Sequence, residues 1–111
     1  MSLRVWANSV RRFKFMVKLT CVYIGVISDL AGGIREEEIE LTGENPTARD
    51  LIEILGKRYR RFKDTYIDPE TLRLNPRRQV LVTPPNSRTL PLGALQGLDT
   101  KVDQGFRVIF W

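Results

Sequence analysis

Apolar side chains recur along this chain with two different periods, and the switches between them limit the folds it can adopt. From Val17 to Ile24 they alternate, with Val17, Leu19, Cys21 and Tyr23 on one face and Lys18, Thr20, Val22 and Ile24 on the other. Arg35 to Thr42 alternates again, with Ile39 and Leu41 inward and Glu38 and Glu40 outward. Alternation marks a half-buried strand, because successive side chains of a strand point to opposite sides. Ala31-Gly32-Gly33 between the two stretches is a turn signal, so they predict a hairpin with a loop around Ser28 to Ile34. The period then changes. Leu51, Ile52, Leu55, Tyr59 and Phe62 recur at spacings of three and four, a single helical stripe of about three turns. Thr47 is suited to cap it, and Asp50 three residues later stands where a capping box needs an acceptor.

Past the helix the pattern shortens. Asp68-Pro69 and Asn75-Pro76 mark turns in an irregular stretch over 64–78. Gln79 to Thr83 reads as a short strand with Val80 and Val82 inward, and residues 83–88 as a turn-rich connection. Gly93 and Gly97 deny Leu90 to Leu98 a long helix. Asp103-Gln104-Gly105 is a tight turn before a last strand, Arg107 to Trp111. Strand, strand, helix, strand, short segment, strand is an α+β order, with a mixed sheet packed on one main helix. It is the layout of the β-grasp (ubiquitin-like) fold, in which the first and last strands lie parallel at the sheet centre.

Composition narrows the chemistry. Hydrophobic residues make up 42% of the chain and charged residues 28%, as in ordinary globular domains. No apolar run has the roughly 18 residues that a membrane span needs. The chain has no histidine, which removes the commonest general base and the commonest metal ligand. No catalytic constellation, metal site or cofactor is expected. The single cysteine, Cys21, excludes an internal disulfide, fits a reducing, cytoplasmic setting, and falls on the inward face of the first strand as a small core residue. Residues 1–18 carry Arg4, Arg11, Arg12, Lys14 and Lys18 and no acid, which accounts for the whole net charge of +5. The division expected is a basic arm over 1–15 and one domain over 16–111. Three readings of the arm stay open: a segment preceding a natural start at Met16 or left by cloning, a true basic arm, or an organelle presequence.

The same alternation places Val22, Ile24, Ile109 and Trp111 on the outward face of the sheet, and Leu90 is assigned to it as well. An apolar patch on a half-polar sheet marks a docking surface, unless Val5 and Trp6 of the arm cover it. Lys57-Arg58-Tyr59-Arg60-Arg61-Phe62-Lys63 invites an RNA-binding reading, but cations favour a helix C-terminus and the two aromatics belong to the core stripe. Nucleic acid is therefore not the partner expected. Glu36, Glu37, Glu38 and Glu40 read as a solvated strand face.

Three segments resemble the ThiS/MoaD-type family of ubiquitin-like sulfur carriers, the MoaD type (the small subunit of molybdopterin synthase) more than ThiS. Val22-Tyr23-Ile24-Gly25-Val26-Ile27-Ser28-Asp29-Leu30-Ala31-Gly32 is similar to the family's first strand and following loop. Thr47-Ala48-Arg49-Asp50-Leu51-Ile52 is similar to its T-V-R-E-L-L helix start, and Gly97 to Trp111 to its G-L-D-T-P-L-K-D-G-D-E-V ending. Lys101 stands where proline is common, Phe106 where an acid is usual, and Pro84 to Ser87 where a compact turn is found. The resemblance implies a non-enzymatic carrier of sulfur transfer or molybdopterin cofactor biosynthesis. Its partners would be an adenylating enzyme and the large subunit of molybdopterin synthase, met through Val22, Ile24, Leu90, Ile109 and Trp111. The family's Pro-Pro-x-x-Gly-Gly tail does not follow Trp111 in the sequence, so the chain as written is not expected to be activatable. A β-grasp interaction adaptor without conjugation is the alternative, and an RNA-binding module the third.

Overall fold

The computed structural model describes residues 16–111, so the division between arm and domain, and any covering role of Val5 and Trp6, lie outside the described residues. Strand β1 spans Met16–Tyr23, helix α1 Val26–Leu30, β2 Glu36–Thr42, α2 Ala48–Arg58, α3 Phe62–Tyr66, β3 Val80–Thr83, β4 Leu90–Pro91 and β5 Arg107–Phe110. Two 3-10 turns, Leu92–Ala94 and Gly97–Asp99, join β4 to the approach of β5. The strands form one mixed sheet in the order β2-β1-β5-β3-β4, with β1 and β5 parallel at its centre and the other pairs antiparallel. This is the β-grasp fold expected from the order of periods.

The inward face follows the alternation. Leu19, Cys21 and Tyr23 of β1 are buried with Ile39 and Leu41 of β2, Val80 and Val82 of β3, and Val108 and Phe110 of β5. Leu51, Ile52 and Leu55 of α2 close over them. The helix starts as its sequence predicts. The Thr47 N–H donates to the Asp50 carboxylate at 2.9 Å and the Asp50 N–H donates to Thr47 Oγ1, a reciprocal box that satisfies two end donors.

Three local readings need correction. The stripe from Leu51 to Phe62 is not one helix. Tyr59 leaves α2 in an extended conformation, Arg61 turns into the left-handed region at φ 70°, and Phe62 opens α3. Phe62 is still fully buried, so the burial is right and the continuity wrong. Gly56 explains the fold-back: a Cβ there would lie 2.7 Å from Lys63 Cβ. Gly56→Ala is therefore expected to destabilise by about 1–3 kcal/mol in urea titrations, since overpacking outweighs the ~1 kcal/mol gained in helix propensity. An increase in stability would show that α2 and α3 do not touch there.

The second correction concerns the hairpin loop, which contains α1. Ile27 and Ala31 turn into the core and draw the segment into a helical turn, which Ser28 Oγ closes by donating to the Ile34 carbonyl at 3.1 Å. The stretch over 64–78, expected to be irregular, holds most of α3 and an antiparallel bridge between Ile67 and Leu74.

Candidate functional site

The register assembles the outward face row by row. Glu36 pairs with Val22, Val22 with Ile109, Ile109 with Leu81, and Leu81 with Pro91. Cross-strand partners share a face, so an apolar row runs from β1 to β4 with Glu36 at its β2 end. The next row lies where β1 and β5 end together. The Ile24 N–H donates to the Phe110 carbonyl at 3.0 Å, and Trp111 exchanges two bonds with Gln79, at 3.1 and 3.0 Å. Ile24 is 42% exposed and Trp111 47%, while Val22 and Ile109 are half-buried. Glutamates 36, 38 and 40 of β2 border the patch. Arg107 reaches back across the face to Glu36 at 2.8 Å, and Lys18 to Glu40 at 3.9 Å.

Four of the five sequence-assigned residues thus come together: Val22, Ile24, Ile109 and Trp111. Leu90 does not. It pairs with Val82, whose side chain is buried, so the register puts Leu90 on the helix-bearing side at the sheet edge. Leu81 supplies the outward residue that Leu90 was expected to supply. Leu81 falls between the inward Val80 and Val82, and that alternation was the signal for it.

Under the same end of the sheet lies a polar hub, where Glu37 departs from the solvated face assigned to its run. It is in phase with Ile39 and Leu41, points inward, and its side chain is only 14% exposed. Its carboxylate accepts from the hydroxyls of Tyr23 (2.6 Å) and Tyr59 and from the Arg58 guanidinium (3.0 Å). Burial, and then the Glu37 carboxylate, push the Tyr59 hydroxyl up to about 12 from 10.0. The same causes raise Tyr23, and burial raises Tyr66. These are all three tyrosines of the chain. Folded-state values above the unfolded ones mean that the stability held in these groups is intact below pH 10 and lost as pH rises through 12. The tyrosinate absorbance of the folded protein is expected to stay flat at pH 10 and to appear only on unfolding or at higher pH. Tyr23 or Tyr59 titrating with the ordinary midpoint would contradict the hub.

Burial, and next the Glu37 charge, push the Cys21 thiol up to about 12 from 9.0, as suits an unreactive core residue. Among the described residues no group of three or more His, Cys, Asp or Glu side chains could hold a metal ion. No helix there is long and apolar enough to cross a membrane.

No protein-family model matches the chain, and no curated protein matches it. Solved structures do. A solution structure from Haloferax volcanii (HVO 2177) is 19% identical at TM-score 0.69, spanning 86% of this chain and 81% of its own. The small archaeal modifier protein 1 of Methanosarcina acetivorans is 18% identical at TM-score 0.64, spanning 86% and 91%. A putative molybdopterin converting factor, subunit 1, from Pyrococcus furiosus is 30% identical over 85% of this chain and 94% of its own, at TM-score 0.58. The chain belongs to the ThiS/MoaD-type family.

The ThiS/MoaD-type segments fall on defined elements. Residues 22–32 are the end of β1 with α1, residues 47–52 the cap and first turn of α2, and residues 97–111 the second 3-10 turn, the tight turn and β5. The departures from the ThiS/MoaD pattern also have structural places. Lys101 bridges to Thr47 at the start of α2. Phe106, where an acid is usual, packs half-buried against the core, and its carbonyl accepts from the Thr20 N–H at 3.0 Å.

Proposed function

We propose that this ThiS/MoaD-type chain is a small carrier or binding protein of sulfur transfer or molybdopterin cofactor biosynthesis, with no catalytic machinery of its own. It docks an adenylating enzyme, and in turn the large subunit of molybdopterin synthase, through the outward row Val22–Ile109–Leu81 and the exposed pair Ile24 and Trp111. The observation that carries this reading is the convergence of β1 and β5. Being parallel, they bring Ile24 and Trp111 to one end of the face, so an enzyme seated there is beside residue 111. Similarity to the putative molybdopterin converting factor, subunit 1, of Pyrococcus furiosus supports the molybdopterin pathway.

The hydrogen bonds of Trp111 bear on the chemistry. Its N–H and carbonyl are both tied to Gln79, so residue 111 is part of the sheet and not of a free tail. A carboxylate must leave the sheet to enter an activating enzyme's narrow channel, and glycines suit that channel because a Cβ would clash. The 111-residue polypeptide is therefore expected to support no ATP–pyrophosphate exchange above background with the cognate adenylating enzyme. The same polypeptide extended after Trp111 by Pro-Pro-Val-Ala-Gly-Gly is expected to support it. Exchange by the unextended chain would overturn the argument about the terminus. No exchange and no binding by the extended chain would remove the docking reading and leave the adaptor.

A further inference from the structure

The loop leading into β3 carries two consecutive arginines on a rigid mount. Asn75 fixes its start. The Asn75 N–H donates to the Tyr66 carbonyl at 2.8 Å, its side-chain amide to the Thr65 carbonyl at 3.2 Å, and its side-chain oxygen accepts from the Arg77 N–H at 3.0 Å. Gln79 fixes its end through the paired bonds to Trp111. Arg77 and Arg78 lie between these anchors and line a cleft of about 400 Å³, whose far wall is Pro91, Leu92 and Gly93.

The cleft is unbalanced in charge. From Thr71 to Leu98 the sequence holds Arg73, Arg77, Arg78 and Arg88 and no acid. Among the described residues neither Arg77 nor Arg78 enters an ion pair.

The ligand chemistry follows from the donors. One guanidinium satisfies a carboxylate; two adjacent ones, held in place, match the three oxygens of a phosphate. The cleft is also larger than a bare ion needs, and falls in the range of roughly 300–1,000 Å³ that holds small molecules. Leu74, Pro76 and Pro91 give it apolar walls. We infer that the cleft between the Asn75–Gln79 loop and the Pro91–Gly93 turn binds a small phosphate monoester. Its phosphate sits at Arg77 and Arg78, and its apolar body lies on Leu74, Pro76 and Pro91.

The site stands independently of the docking reading. Its test is a titration of the isotopically labelled chain with phenyl phosphate in chloride-matched buffer, followed by amide resonances. Saturable shifts are expected at Arg77, Arg78, Gln79 and Gly93. Arg77→Ala/Arg78→Ala is expected to weaken binding at least about tenfold, as the loss of charge-assisted bonds does. Inorganic phosphate is expected to act on the same amides but bind about threefold or more less tightly, lacking the apolar contact. Shifts scattered over Lys57 to Lys63 that track ionic strength, or unchanged affinity in the double variant, overturn the site. Equal affinity for the two phosphates overturns the placing of the body.

Discussion

Leu55→Ala will lower the stability of the folded chain by about 2–5 kcal/mol, the range for leucines truncated in packed cores. Leu55 is fully buried and is the last inward residue of α2 before the chain turns at Tyr59. Its carbonyl also accepts the Tyr59 N–H at 2.8 Å, so it sits where α2 hands over to α3. The core it belongs to is aromatic and stiff. Phe62 packs edge-on to Phe110 with ring centres 5.1 Å apart, and Tyr23 stacks on Phe110 at 5.9 Å. Rings held by several neighbours cannot shift easily to fill a leucine-sized void, which argues for the upper half of the range. Urea denaturation of the variant is the measurement. A loss below about 1 kcal/mol would mean that α2 does not seal the core.

The second large effect concerns association. Trp111→Ala is expected to weaken binding to the proposed adenylating partner by at least about 2 kcal/mol, roughly thirtyfold, because a tryptophan buried in an interface is a typical hot spot. The same change should alter stability little, since the Trp111 side chain is 47% exposed and its sheet bonds are made by the backbone. That separation makes the measurement clean: affinity falls while the denaturation midpoint holds. Unchanged affinity at unchanged stability would leave the outward face without a role in docking.

How much of this was readable from the sequence depends on the kind of signal each residue leaves. Alternation is local and robust, so the inward sets of β1, β2, β3 and β5 are legible, and the Thr47–Asp50 cap is legible from two letters. The break between α2 and α3 is not, because Leu55, Tyr59 and Phe62 keep helical spacing through a turn that is not helical. Gly56 carried a hint, but its reason is a contact with Lys63 that only the folded chain contains. Leu90 was misplaced because β4 has two residues, too few to set a phase without its partner strand. Glu37 is the opposite case. Its phase with Ile39 and Leu41 was visible, but four glutamates in five positions read as surface unless the inward phase is followed through a charge.

The central pairing of β1 with β5 also sets the order of events in making the molecule. Thr20 to Tyr23 cannot find their parallel neighbours until Arg107 to Phe110 have been synthesised, and β3 then bonds to β5 and not to β1. A nascent chain that has left the ribosome as far as β3 therefore has a hairpin and a helix but no sheet to join them. Such long-range closure slows folding, and it leaves the incomplete chain with apolar surface exposed throughout translation. Synthesis that stops a few residues early would yield an aggregation-prone fragment with no gradation between it and the finished domain.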